Sequence, residues 1–319
     1  MKENIIFRES TPEDIPNIIE LLKAALGVAT KKSLGVWNWK HINNPFGPSE
    51  VYIAELNKEL IAVRVFMQWQ WKKSNGKKMK FLRAVDTCVS AKHRRKGIFE
   101  NLNKYALDKS KQKGYHAIFN TPNDKSMAGN LKLGWRMNRK ISVNLLFNPF
   151  FFLTQFFTRK KESTFFKKEY IFENYGDYPS FFTEKSKKFF DWRYYHNPMV
   201  EYLFKVFDDE IVFVYRIKKH KFFNECRIVD VFKLKNECNA NVLLKGLAFF
   251  SKKYMIVSFA KTLFNKSFLV HNFLVLPTLR LKGPNLVTKN LNLSQHEYEL
   301  LFDKNPKSWG FHLGDMELF

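Results

Sequence analysis

The sequence predicts a mixed α/β protein of two related halves, each a twisted mixed sheet flanked by helices. Three observations carry this expectation. In the first half, hairpin signals feed a strand–loop–helix–strand unit, which requires a parallel crossover. The second half has its own hairpin-rich strands and a helix. Short motifs recur in the two halves in the same order and at similar spacing.

Each element has a local reason. Ile5 to Arg8 reads as a strand. Ser10 or Thr11 caps a helix with Pro12, Glu13 and Asp14 in its first turn. Ile15, Ile18, Ile19, Leu22 and Ala25 then recur at helical spacing, and Gly27 ends the run. Strands follow at Val51 to Glu55 and Leu60 to Trp69, with a turn near Asn57 and another at Asn75-Gly76. A strand from Phe81 to Val89 enters a basic loop at Lys92 to Lys96. A helix from about Phe99 to Lys113 stops at Gly114, and His116 to Asn120 forms the next strand. The second half predicts strands near Tyr202 to Phe207, Ile211 to Ile217, Cys226 to Leu234 and Met255 to Phe259, with further strand near the C-terminus. A helix is expected near Asn239 to Phe250.

The repeat is specific. Trp39-Lys-His-Ile-Asn-Asn44-Pro45 is echoed by Trp192-Arg-Tyr-Tyr-His-Asn197-Pro198, and Arg83-Ala-Val-Asp86 by Arg227-Ile-Val-Asp230. Duplication is the simplest explanation, with domains at 1–145 and 171–319 and a linker at 146–170. The copies diverge after the aspartate. The first continues to Arg94-Arg95-Lys96-Gly97; the second has neither glycine nor arginine at that junction.

Composition bounds the function. The 319 residues include 45% apolar residues and 34 Phe, enough for a real core. A formal charge of +24 favours anionic partners without choosing among them. No helix-turn-helix, zinc spacing or RNA-binding sheet motif stands out, so no specific nucleic acid is expected. Cys88, Cys226 and Cys238 form no CxxC pair or ligand cluster, which fits a reducing cytoplasm and no metal. The apolar stretch Leu145 to Phe157 is shorter than the roughly 20 residues of a membrane span. It reads as packed between domains, with peripheral membrane contact as the alternative.

The basic loop is the strongest chemical signal. A strand running into a glycine-containing turn and then a helix makes an anion site, because first-turn N–H groups have no helical acceptor. Arg94, Arg95 and Lys96 add charge, and Gly97 permits close approach. Asp86 stands in an otherwise apolar strand. It is the side-chain candidate for a base or amine anchor if burial raises its pKa, with pairing to a lysine as the alternative. Cys88 and the Trp37, Trp39, Trp192 and Tyr194 rings read as packing, and His41 as a residue lining a cleft.

Arg94-Arg95-Lys96-Gly97-Ile98-Phe99 resembles the coenzyme A pyrophosphate loop of the GNAT acetyltransferase superfamily, Arg/Gln-x-x-Gly-x-Gly/Ala. Val89 to His93, Phe119 to Asn123 and Leu133-Gly134-Trp135 also resemble that superfamily, over residues 3–145. The tandem layout resembles bacterial two-domain members, some linked with cell-envelope or polysaccharide modification. The resemblance implies two GNAT-like domains and acetyl transfer from acetyl-CoA to an amine, amino sugar or glycan hydroxyl. It implies that the backbone of Thr87, Cys88 and Val89 pairs with pantetheine. Arg94 to Phe99 would hold the pyrophosphate, and Asn123 or Ser126 would touch the cofactor or cap a helix. Phe99 departs from the pattern, where a small residue is usual. Asn130 stands where many members carry a tyrosine acid. A non-catalytic acyl-CoA- or glycan-binding module and an aminoacyl-transferase-like enzyme are the alternatives.

Overall fold

The computed structural model describes residues 4–27, 32–148, 170–174, 181–260, 278–302 and 309–316. The first half runs β1 (Ile5–Glu9), α1 (Ile15–Leu26), α2 (Leu34–Trp37), β2 (Glu50–Leu56), β3 (Glu59–Lys73), β4 (Lys78–Val89), α3 (Ile98–Gln112), β5 (Ala117–Asn120), α4 (Asp124–Lys132) and β6 (Arg136–Phe147). The second runs β7 (Glu173–Asn174), β8 (Phe181–Thr183), α5 (Lys187–Phe190), β9 (Leu203–Phe207), β10 (Ile211–Lys219), β11 (Asn224–Lys233), α6 (Ala240–Lys253), β12 (Ile256–Ala260), β13 (Thr278–Asn290), α7 (Gln295–Phe302) and β14 (Trp309–Gly310).

Local chemistry sets these elements. Asp14 accepts the Thr11 N–H at 2.8 Å, and Pro12 opens the turn that leads into α1. Gly27 ends α1 with φ +87°. Asn57 and Lys58 take positive φ in the tight β2–β3 turn, the twist that a two-residue hairpin favours. α2 and α5 each pass directly into a π-helical turn, Asn38–Ile42 and Asp191–Tyr195.

The chain divides into two compact units, Met1–Arg139 with Pro284–Lys304, and Lys140–Gly283 with Asn305–Phe319. In the first unit β1 to β4 are antiparallel neighbours, β5 joins β4 in parallel, and residues 287–290 of β13 close the order antiparallel to β5. α3 covers one face, where Leu102 and Ala106 pack with Phe66, Leu82 and Ile118. α1 packs on β3 and β4.

The second unit has the same plan. β9, β10 and β11 are antiparallel, β12 joins β11 in parallel, and residues 143–147 of β6 pair antiparallel with β12. α6 supplies Leu243, Leu247 and Phe250 to a core with Phe213, Ile228 and Phe259. Each sheet therefore takes its last strand from the opposite half of the sequence. Residues 284–304, from the second half of the sequence, fall in the first unit.

Candidate active site

The site begins where β4 loses its outer neighbour. β4 and β5 pair only through Phe81–Ala117, Leu82–Ile118 and Arg83–Phe119. Thr87, Cys88 and Val89 continue along β3, opposite Arg64, Val63 and Ala62. Among the described residues no strand pairs with their other edge. The β3–β4 register jumps from Val65–Val85 to Arg64–Thr87, so Asp86 is a one-residue bulge. Its φ of +30° is a strained conformation for a non-glycine residue.

After β4 the chain makes a 3-10 turn at Ala91–His93. Arg94 Nε donates to Val89 O at 3.3 Å, and Arg95 and Gly97 take positive φ of 65° and 74°. The first helical bond of α3 runs from Asn101 N to Gly97 O, and no side chain caps this end. The N–H groups of Ile98, Phe99 and Glu100 thus have no acceptor within the helix. Arg94, Arg95 and Lys96 are exposed around them. The large Phe99 is accommodated by Gly129 of α4, where a Cβ would stand 2.9 Å from the Phe99 ring.

Asn123 caps α4 by accepting the Ser126 N–H at 2.9 Å, and both residues are exposed. Asn130, further along α4, is 1% exposed, and both its Oδ1 and Nδ2 are without a hydrogen-bond partner.

On the α1 side of β4, the Asp86 carboxylate receives Lys40 Nζ at 2.5 Å, Lys32 Nζ, and a contact from His41 Nε2 at 3.0 Å. His41 Nδ1 lies 2.9 Å from Ser49 Oγ. Lys32, Ser33, Trp37, Lys40, His41 and Asp86 line a small hollow there. Burial alone would raise the Asp86 pKa, as expected from the sequence. The Lys40 charge, the His41 bond and charge, and the Lys32 charge outweigh it and hold the group well below 3.8. Burial pushes the Cys88 thiol up to about 12, and its Sγ points to Leu21 O. That leaves a packed thiol rather than a nucleophile.

The corresponding places in the second unit are filled by the chain itself. β7 pairs antiparallel with Phe232 and Lys233, which stand where Cys88 and Val89 stand relative to the aspartate. The start of α6 is capped by Asn239, whose Oδ1 accepts the Asn241 N–H at 2.9 Å. The carboxylate of Glu210 accepts the Asn239 N–H at 2.8 Å. Asp230 is wholly buried, with Lys185 Nζ at 2.5 Å, His312 Nδ1 at 2.7 Å and Tyr194 Oη at 2.7 Å. Tyr194 takes the place of His41 in the repeat, and Lys185, like Lys32, precedes a serine that caps the next helix. The terminal Trp309-to-Asp315 segment returns as a two-residue strand beside β8 and delivers His312 to Asp230.

Sequence reasoning located the loop and the paired aspartates but missed Lys32, Lys40 and Arg64. Arg64 alone left a signal, as a lone arginine in the apolar run Ile61 to Met67. Among the described residues there is no metal-binding group of His, Cys, Asp and Glu, and no disulfide. No described helix is long and apolar enough to cross a membrane. Most of Leu145 to Phe157 lies outside the described residues.

Comparisons with known proteins bear on this geometry. Residues 7–137 match the model of the acetyltransferase (GNAT) domain. A GCN5-related N-acetyltransferase from Kribbella flavida shares 9% identity over 94% of this chain and 74% of its own, with a TM-score of 0.62. A protein of unknown function and probable N-acyltransferase from Enterococcus faecalis shares 12% identity over 91% and 73%, also at 0.62. A GCN5-related N-acetyltransferase from Anabaena variabilis shares 10% over 91% and 73%, at 0.59. No curated protein is significantly similar. The chain therefore has the GNAT fold, and residues 7–137 resemble a GNAT acetyltransferase domain in sequence.

Proposed function

We propose that this chain is an acetyl-CoA-dependent acetyltransferase with one cofactor site, in the first unit. Its acceptor is an amine, an amino sugar or a glycan hydroxyl. The observation that carries this reading is a coincidence in space. The unpaired edge of β4 at Thr87–Val89 runs directly into the uncapped N-terminus of α3. The first suits an amide-bearing arm and the second a pyrophosphate. The residues present fit the cofactor, because Gly97 is left-handed and side-chain-free at the helix start and Asn130 has two orphaned polar atoms nearby on α4.

Backbone groups of Thr87, Cys88 and Val89 would hold the arm. The N–H groups of Gly97, Ile98 and Phe99, with the charges of Arg94, Arg95 and Lys96, would hold the phosphates. Asn123 and Ser126 stand at the rim. When bound, acetyl-CoA supplies an acyl group activated as a thioester. The chain's own part is positioning and charge. Asp86 is a poor proton acceptor at neutral pH, since its pKa lies well below 3.8. We assign it the role of an anchor that gathers Lys32, Lys40 and His41 around the acceptor hollow. Three cysteines outside any disulfide suit a cytoplasmic location.

Gly97→Glu places bulk and negative charge at the phosphate position. Calorimetry with acetyl-CoA should show at least a hundredfold loss of affinity, and equal affinity in variant and parent would remove the site. Acceptor-dependent thiol release over a panel of amines and amino sugars tests transfer itself. Tight CoA binding with no acceptor-dependent release would leave a binding module instead.

A further inference from the structure

Arg64 is a buried cation of the first unit with two guanidinium nitrogens left without a partner. Its side chain is 3% exposed. Nη1 donates to Thr87 Oγ1 at 2.6 Å, while Nε and Nη2 have no partner. No carboxylate contributes to its environment, and burial pulls the guanidinium down to about 9. Its other neighbours are aromatic: the Phe66 ring at 4.6 Å and the Trp135 ring at 6.0 Å. The Trp135 N–H bonds Asn130 O, and Trp135 Nε1 is orphaned like the Asn130 amide. Three buried polar side chains with unmet hydrogen bonds are thus linked in a row, Asn130 to Trp135 through the backbone bond and Trp135 to Arg64 through the ring contact, and Arg64 reaches Thr87 on the part of β4 that has left β5. Native interiors rarely leave such groups unpaired, and an unpaired buried charge is the costliest kind.

The fold does not need a cation here. In the second unit the bulge falls one residue earlier, at Val229, and the residue opposite the one that follows the aspartate is Phe213, facing Val231. It is fully buried and packs against Phe250, with Gly246 making room for its ring. A phenyl ring therefore fills the position without any orphaned group.

Resting on the cofactor reading above, we propose that Arg64 receives the sulphur end of the acyl-CoA thioester and acts as a fixed cation beside the leaving thiolate. Arg64 keeps its own protons. It offsets the charge that the C–S electron pair places on sulphur as the new bond from acceptor nitrogen or oxygen to the acyl carbon forms. The acceptor's proton passes to water. This supplies by charge what Asn130 cannot supply as an acid, because an amide donates no proton at neutral pH.

The test uses the full chain with CoA and desulfo-CoA. Thiolate absorbance of bound CoA is followed against pH, and calorimetry compares the two ligands. In the parent, the bound thiol should ionise at least one pH unit below the free thiol. CoA should be preferred over desulfo-CoA, increasingly so as pH rises. Arg64→Met should abolish the shift and the preference while keeping or raising Tm, since it removes an unpaired buried cation. Arg64→Lys should retain part of both. An unshifted thiol in the parent would overturn the proposal, as would an unchanged titration in Arg64→Met. If neither ligand binds the parent, the cofactor reading itself fails. Binding of both with equal affinity and no thiol shift removes Arg64's role alone.

Discussion

The two units share a strand plan, a helix followed by a π-helical turn, and a buried aspartate paired with lysine, yet they treat the same three places oppositely. At the outer edge of the fourth strand, the second unit lays β7 against Phe232 and Lys233, while the first leaves Thr87 to Val89 paired on one side. At the helix start, the second has Asn239 and Glu210 on its N–H groups, while the first has Gly97 and no cap. Opposite the residue after the aspartate, the second packs Phe213 and the first buries Arg64. Backbone and buried groups normally find partners within the protein. In the second unit these three places are filled by the chain itself. In the first, the Thr87–Val89 edge has no second strand among the described residues, the α3 N-terminus has no side-chain cap, and Arg64 Nε and Nη2 have no partner. Under the proposed function, the difference separates a scaffold copy from a working copy.

The comparison can be broken most severely at Phe213. Phe213→Arg would bury an unpaired cation, lose a packed ring and crowd Gly246. It should destabilise the protein by at least about 3–5 kcal/mol in a denaturant melt. A loss below about 1 kcal/mol would mean that the second unit has room for the first unit's arginine.

The aspartate clusters should come next. Asp86→Asn leaves Lys32 and Lys40 buried without their counter-charge and should cost about 3 kcal/mol. The pH dependence sharpens this. The native pKa is depressed below an unfolded value of about 3.9, so this stabilisation is complete above that value. It is lost as pH falls through the unfolded pKa and on toward the native one. The parent should therefore lose stability on acidification below about pH 5 more steeply than Asp86→Asn, as read by melts across that range. Asp230, also depressed by Lys185 and His312 against its burial, should behave alike in Asp230→Asn. Parallel acid profiles for variant and parent would show that the cluster is not ionised.

The smallest effect belongs to the helix ends. Asn239→Ala removes the α6 cap and should cost about 1 kcal/mol of stability with no change in acetyl-CoA affinity. A change in affinity would give the second unit a share in binding that its filled notch should forbid.

Much of the fold was legible because its signals are local. Thr11-Pro12, Asn57 and Gly97 each mark a turn or cap through their own backbone preferences, and the elements they bound lie where the pattern put them. The repeat was legible because Asn44 and Asn197 brace equivalent turns, accepting the N–H of Phe46 and of Met199 and Val200. Long-range pairing left no such mark. Nothing near residues 287–290 signals that they pair with β5. Asp86 was singled out as a lone acid in an apolar strand. Pairing to a lysine was one of two readings left open, because the partners Lys40 and Lys32 lie 46 and 54 residues away. The orphaned state of Asn130 and Arg64 depends on everything packed around them, which no local pattern encodes.

The central claim is that only the first unit takes the cofactor. Its most direct test is the stoichiometry of acetyl-CoA binding to the full chain by calorimetry at saturating ligand. The account predicts one acetyl-CoA per chain, lost in Gly97→Glu. Two per chain, or one that survives Gly97→Glu, would contradict it.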